Sequence, residues 1–203
     1  MVYLKYKMWY NNYERKLSRR YKVGNIIYKS DNIIPWDTQS AFKMTNYKVS
    51  VEENMIFCYL KTYVHGSDLV LCSYCFTENP VGNNNLHLYL NLNPENKEDI
   101  LKIDFGFDGI KEISYKGQKS DICVEYRPFK SNDEQGFYWC GELVIKSDTI
   151  AALSGNTLAE NSIFTLNMTQ CFENGDMFTL FGNPENEGFC PEDAMDVFVI
   201  LNY

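Results

Sequence analysis

The stretch from Asn83 to Asn93, N-N-N-L-H-L-Y-L-N-L-N, sets an imidazole, a phenol and an amide at alternate positions: His87, Tyr89 and Asn91. These are the groups a polar ligand needs. An imidazole and an amide both donate and accept hydrogen bonds, and a phenol adds a ring to stack on. Leu86, Leu88, Leu90 and Leu92 fill the positions between. Side chains of a strand alternate between faces, so this period of two predicts a strand with a dry leucine face and a polar face. The polar row equally suits the solvated outer face of a sheet.

Other chemistries are poorly served. Cys72-x-x-Cys75 could supply two zinc ligands, but the usual second pair is missing. A redox role for the same motif requires a helix N-terminus, whereas this one sits in a strand-like run. No metal and no cofactor are therefore expected. The chain has 27 acidic residues, so some carboxylates must be close by chance alone. No motif proposes a glycosidase pair, and none of G-x-S-x-G, H-E-x-x-H or a phosphate loop is present. Of the two histidines, His65 and His87, neither has a recognisable nucleophile partner in sequence. Binding is expected rather than catalysis.

The surrounding elements read as strands. Aromatic residues make up 15% of the 203 residues, which favours β-structure. Tyr21 to Tyr28 reads as a strand broken at Gly24. Lys48 to Val51 and Met55 to Val64 make a hairpin around Glu52, Glu53 and Asn54. Leu69 to Thr77, Leu101 to Phe107, Lys111 to Tyr115, Asp121 to Tyr126, Gly136 to Ile145, Ile163 to Met168 and Asp196 to Leu201 follow. Asp148 to Leu153 is a short helical turn that Ser147 or Asp148 can cap. About ten short strands with almost no helix predict an all-β, antiparallel β-sandwich with jelly-roll or immunoglobulin-like layers.

Charge divides the chain. Residues 1 to 23 carry +6 and the remainder carries -14. This sets residues 1–30 apart as a basic arm or first strand, followed by one sandwich over residues 31–203. The net charge of -8 argues against nucleic acid and anionic membranes as partners of the body. The basic arm is a candidate site for a protein partner. Lysines interrupt the first apolar residues, no span is long enough to cross a membrane, and seven cysteines show no framework spacing. A cytoplasmic location with reduced thiols is the expectation, although export of a trimmed chain fits the same residues.

The order of motifs resembles the family 9 carbohydrate-binding modules over roughly Trp36 to Leu201. P-W-D-T matches their opening tryptophan segment, and E-N-M-I-F-C-Y-L their second hairpin strand. L-Y-L-N-L-N matches the strand before a glycine loop. Trp139, Glu142 and Ile145 fall on an aromatic-x-x-Glu-x-x-Ile strand, and L-N-M-T-Q with T-L-F-G-N-P on the closing segments. The resemblance implies a non-catalytic sugar binder. It places Phe181 where members carry a platform tryptophan, with Asn183 beside it. Trp36 is either core or platform, and Trp139 is core because it shares strand parity with Leu143 and Ile145. Cys72-Ser73-Tyr74-Cys75 replaces the family's Asp-x-x-Glu, so the structural calcium that the resemblance would imply meets a degraded site here.

The candidate ligand-binding residues are thus His87, Tyr89, Asn91, Phe181, Asn183 and Trp36, for a mono- or oligosaccharide. A protein-interaction scaffold that has lost sugar binding is the second reading, and a carbohydrate-active enzyme the third.

Overall fold

The computed structural model describes residues 24–44, 58–76, 85–133, 136–172 and 177–203. The strands are β1 (Asn25–Ser30), β2 (Phe42–Lys43), β3 (Cys58–His65), β4 (Asp68–Cys75), β5 (Asn85–Asn91) and β6 (Ile100–Gly106). They continue as β7 (Gly109–Tyr115), β8 (Gln118–Lys119), β9 (Glu125–Asp133) and β10 (Gly136–Ile145). After helix α1 (Ser147–Ser154) come β11 (Ile163–Cys171), β12 (Met177–Thr179) and β13 (Asp196–Asn202). All join one sheet in the order β8-β7-β6-β5-β11-β13-β1-β3-β4-β10-β9, with β12 on β11 and β2 on β3.

The sheet curls until its two halves face each other, giving the expected all-β, sandwich-like fold. The alternating apolar residues explain why. Leu86, Leu88 and Leu90 of β5 point inward with Leu101, Ile103 and Phe105 of β6, and all are essentially fully buried. Leu69 and Leu71 of β4 with Trp139, Leu143 and Ile145 of β10 fill the same core from the other half. Phe164 and Phe198 stack at 5.3 Å where β11 meets β13. Burying the apolar face of each strand is what closes the sheet on itself.

Side chains, not strand pairing, draw the far edges together. Tyr126 of β9 packs on Phe105 with ring centroids 5.6 Å apart, and its hydroxyl donates to the Gly106 carbonyl at 2.6 Å. Gly141 of β10 makes room for this. A Cβ there would lie 2.9 Å from the Tyr126 hydroxyl oxygen and 3.1 Å from the Phe105 ring.

Two features differ from the sequence reading. The sheet is mixed, because β1 runs parallel to both β13 and β3. Asn25–Ser30, from the segment read as arm or first strand, is thereby a strand in the middle of the sheet. The strand expected over Asp121 to Tyr126 begins only at Glu125. Ile122 and Val124 still pack against the core from irregular backbone, so their alternation reflects burial without pairing. The helical turn expected over Asp148 to Leu153 is α1, ended by Gly155 at φ 71°. The basic residues 1–23 and the Lys48 to Val51 half of the predicted hairpin lie outside the described residues.

Candidate functional site

The curled sheet has two outer faces, one on each half. On the first, antiparallel pairing of β5 with β6 and β11 sets out three rows. His87 lies between Asp104 and Thr169, Tyr89 between Lys102 and Asn167, and Asn91 between Ile100 and Thr165. The expected row of His87, Tyr89 and Asn91 therefore shares one face.

Its polar groups are largely occupied by one another. His87 Nδ1 and Asp104 Oδ1 are 2.6 Å apart, and Lys102 Nζ stands 3.3 Å from Asp104 Oδ2. Burial acts to lower the His87 pKa. The hydrogen bond to Asp104 and the neighbouring Cys171 thiol overcome it and raise the value to about 9. Burial likewise opposes ionisation of Asp104, but His87 and Lys102 hold its carboxyl below the usual range. Tyr89 is only 7% exposed, and burial pushes its hydroxyl up to about 12. Asn91 is 2% exposed. Its amide donates to the Asn96 carbonyl at 2.9 Å and its oxygen accepts from the Asn93 amide at 2.8 Å. It latches the β5–β6 turn and presents no group to a ligand.

The loop 180–195 is tied onto this face by Asn167, a residue the family resemblance touched only as part of L-N-M-T-Q. Its oxygen accepts from the amides of Met168 and Phe181 and from the Thr179 hydroxyl, while its nitrogen donates to the carbonyls of Phe181 and Pro191. Asn167 is fully buried. The loop turns Phe181 toward the core, where its ring meets Phe198 at 6.0 Å. Phe181 is therefore not a platform standing clear of the protein. Asn183 caps a turn by accepting from the Glu185 amide at 2.9 Å.

Trp36 lies on the other half, away from His87. It follows Pro35 in a short 3-10 turn, packs edge-on against Tyr63 at 5.2 Å, and receives the Lys61 ammonium on its carbonyl at 2.6 Å. Tyr63, Val70 and Ile34 are buried beneath and beside it.

This second outer face spans β3, β4, β10 and β9. Register sets Tyr59, Tyr74, Cys140 and Phe129 in one row, and Lys61, Cys72, Glu142 and Arg127 in the next. Tyr63, Val70, Val144 and Glu125 make the third. The rings of Tyr59 and Tyr74 stack at 4.6 Å with planes 15° apart. Phe76 joins Tyr59 at 5.9 Å, and Tyr138 closes the group at 5.6 Å from Phe76. Lys61 Nζ stands 5.7 Å from the centroids of both stacked rings, within cation-π range. Beside them Arg127 Nη2 pairs with Glu142 Oε1 at 3.0 Å, the arginine 73% exposed. Burial, reinforced by the Cys72 sulfur, raises the Tyr74 pKa, so its hydroxyl stays neutral and able to donate.

Apart from Trp36, none of these residues was among the expected ligand-binding residues, although Glu142 was matched with Trp139 to one family strand. The available signal was the alternation of Tyr59, Lys61 and Tyr63 against Leu60, Thr62 and Val64, the same pattern that marks β5.

Cys72 and Cys75 point to opposite faces, as residues three apart in a strand must, and so cannot share an ion. Cys75 Sγ instead lies 3.1 Å from Cys58 Sγ in the core. Among the described residues no three His, Cys, Asp or Glu side chains gather as a metal site. No family model matches the chain, and no curated protein sequence does. In fold it is similar to the crystal structure of a "putative carbohydrate-binding protein" from Bacteroides uniformis, with a TM-score of 0.56 and 10% identity over 88% of this chain and 99% of that one.

Proposed function

We propose that this protein is a non-catalytic carbohydrate-binding β-sandwich whose ligand lies on the outer face of β3, β4, β10 and β9. The observation that carries the reading is the stacked Tyr59–Tyr74 pair set one row from the Glu142–Arg127 pair on a single sheet face. A pyranose offers an apolar C–H face and a rim of hydroxyls. Phenol rings take the first, while a carboxylate and a guanidinium take the second through charge-assisted hydrogen bonds. The fold likeness to a "putative carbohydrate-binding protein" and the resemblance of the motif order to family 9 modules support the class of ligand, while the choice of face rests on the aromatic and charged rows. Of the six residues expected from sequence, Trp36 alone lies on this face.

The test is calorimetric and fluorescence titration against a panel of mono- and oligosaccharides at millimolar concentration. Saturable binding that is lost in Tyr74→Ala and kept in His87→Ala supports the assignment. Silence across the panel, with the fold intact by circular dichroism, overturns it.

A further inference from the structure

The other outer face carries an arrangement that sugar binding does not use. Cys171 closes β11 opposite Asn85, and His87 lies opposite Thr169, so thiol and imidazole are diagonal neighbours across adjacent strands of one face. Such positions are within reach of an imidazole ring. On the far side of His87, Asp104 occupies Nδ1 at 2.6 Å. This leaves Nε2 as the nitrogen available to Cys171. The order is thiol, imidazole, carboxylate, in which the third group fixes the second for service to the first.

The surroundings favour an incoming group. Thr169, directly opposite His87, is fully buried beside the Tyr89 hydroxyl. Of the seven free cysteines, Cys58, Cys72, Cys75 and Cys140 are buried, whereas Cys123, Cys171 and Cys190 are reachable. Cys190 donates to the Glu192 carboxylate at 3.3 Å. Among these three, only Cys171 has an imidazole beside it. The other charges facing the pair are Lys102, which also binds Asp104, Glu112 across from Asp104 on β7, and Glu192 from the loop 180–195.

We propose that Cys171 is a nucleophilic thiol whose thiolate is held by the His87 imidazolium, with Asp104 as the residue positioning His87, and that it exchanges with small-molecule disulfides. The thiol proton leaves to solvent, and the Cys171 thiolate beside the imidazolium attacks one sulfur of the disulfide. A new S–S bond forms to Cys171, the original S–S bond breaks, and the departing thiolate takes up a proton. The exchange needs no further oxidant. The raised His87 pKa keeps the imidazolium in place at neutral pH.

The probe is oxidised glutathione applied to the full chain at neutral pH, with peptide mass spectrometry following each cysteine separately. Cys123, which is exposed, serves as the internal reference. Cys171 is expected to be modified at least tenfold faster than Cys123. His87→Gln and Asp104→Asn are expected to bring it to the reference rate or below while Cys123 is unaffected. A loosened structure would expose the thiol and raise its rate, so a fall separates loss of the imidazolium from loss of the fold. Equal rates at Cys171 and Cys123 in the native chain, or an unchanged or faster Cys171 in His87→Gln, would overturn the proposal.

Discussion

The two outer faces are built by the same rule and end in opposite conditions. Each has three rows running across adjacent strands at one parity. Around β5 and β11 the rows are polar and spent on each other: His87 on Asp104, Lys102 on Asp104, Asn91 on its turn, and Asn167 on a loop folded over the face. Around β3, β4 and β10 the rows hold stacked rings with charges at their margin. A polar group under a loop must find a partner, so polar richness signals internal closure as readily as recognition. The rings around β3 and β4 are partly exposed and stand beside a carboxylate and a guanidinium.

The sharpest way to break this contrast is to remove both rings. Tyr59→Ala with Tyr74→Ala should weaken sugar binding by a hundredfold or more, equivalent to about 2.8 kcal/mol. His87→Ala should leave affinity within about twofold of the native value, since it lies on the opposite side. Calorimetry on both variants decides. The reverse pattern would move the site to the β5 face.

Much of this contrast was legible in sequence and the decisive part was not. Period two in L-H-L-Y-L-N fixed which side chains share a face, and the structure places His87, Tyr89 and Asn91 together as that period requires. Nothing local revealed that Asn167, about 80 residues later in the chain, would pin a loop over them. Phe181 was located through the family resemblance, but its orientation depends on Phe198, which arrives from β13. Trp36 could be assigned to neither core nor platform, because the Tyr63 on which it leans is placed by β3 and not by neighbours in sequence. The Tyr59–Tyr74 stack is a register effect between two strands, each of which reads as ordinary alternation by itself. Alternation reports the parity of a side chain. Long-range pairing reports what it meets.

If the β5 face is self-paired, its pairing should appear in the pH dependence of stability. The folded His87 value of about 9 lies above its ordinary 6.5, so its contribution is complete below pH 6.5 and lost as pH rises through 9. Asp104 is shifted downward, so its contribution is present above its ordinary 3.8 and lost on further acidification. The pair therefore stabilises most between these limits, by about 2 kcal/mol after allowance for partial exposure. Urea melts across pH 5 to 9 should show native stability falling toward the alkaline end, and Asp104→Asn should flatten that slope. Parallel slopes in the two proteins would mean that the imidazole is not held as described.

The faces keep their relation because the edges of the sheet are tied at Tyr126. Removing its hydroxyl in Tyr126→Phe deletes the bond to the Gly106 carbonyl while keeping the ring on Phe105. A loss of about 1 kcal/mol is expected, read from the urea midpoint at constant slope. A changed slope would indicate that the seam, and not one bond, had opened.

The smallest effect expected is the one that best separates stability from recognition. Arg127 is 73% exposed, and its pairing with Glu142 at the margin of the aromatic face is a surface ion pair. Solvent screens such pairs and side-chain entropy opposes them, so Arg127→Ala should alter stability by less than about 0.5 kcal/mol. A sugar lying across Tyr59 and Tyr74 would meet the guanidinium within the next row, and there the same change should weaken binding by about threefold, or 0.65 kcal/mol. A guanidinium that served only the fold would give the opposite split, with the melting midpoint falling and affinity unchanged. Measured together on one variant, the two numbers distinguish a face that recognises a ligand from one that merely carries charge.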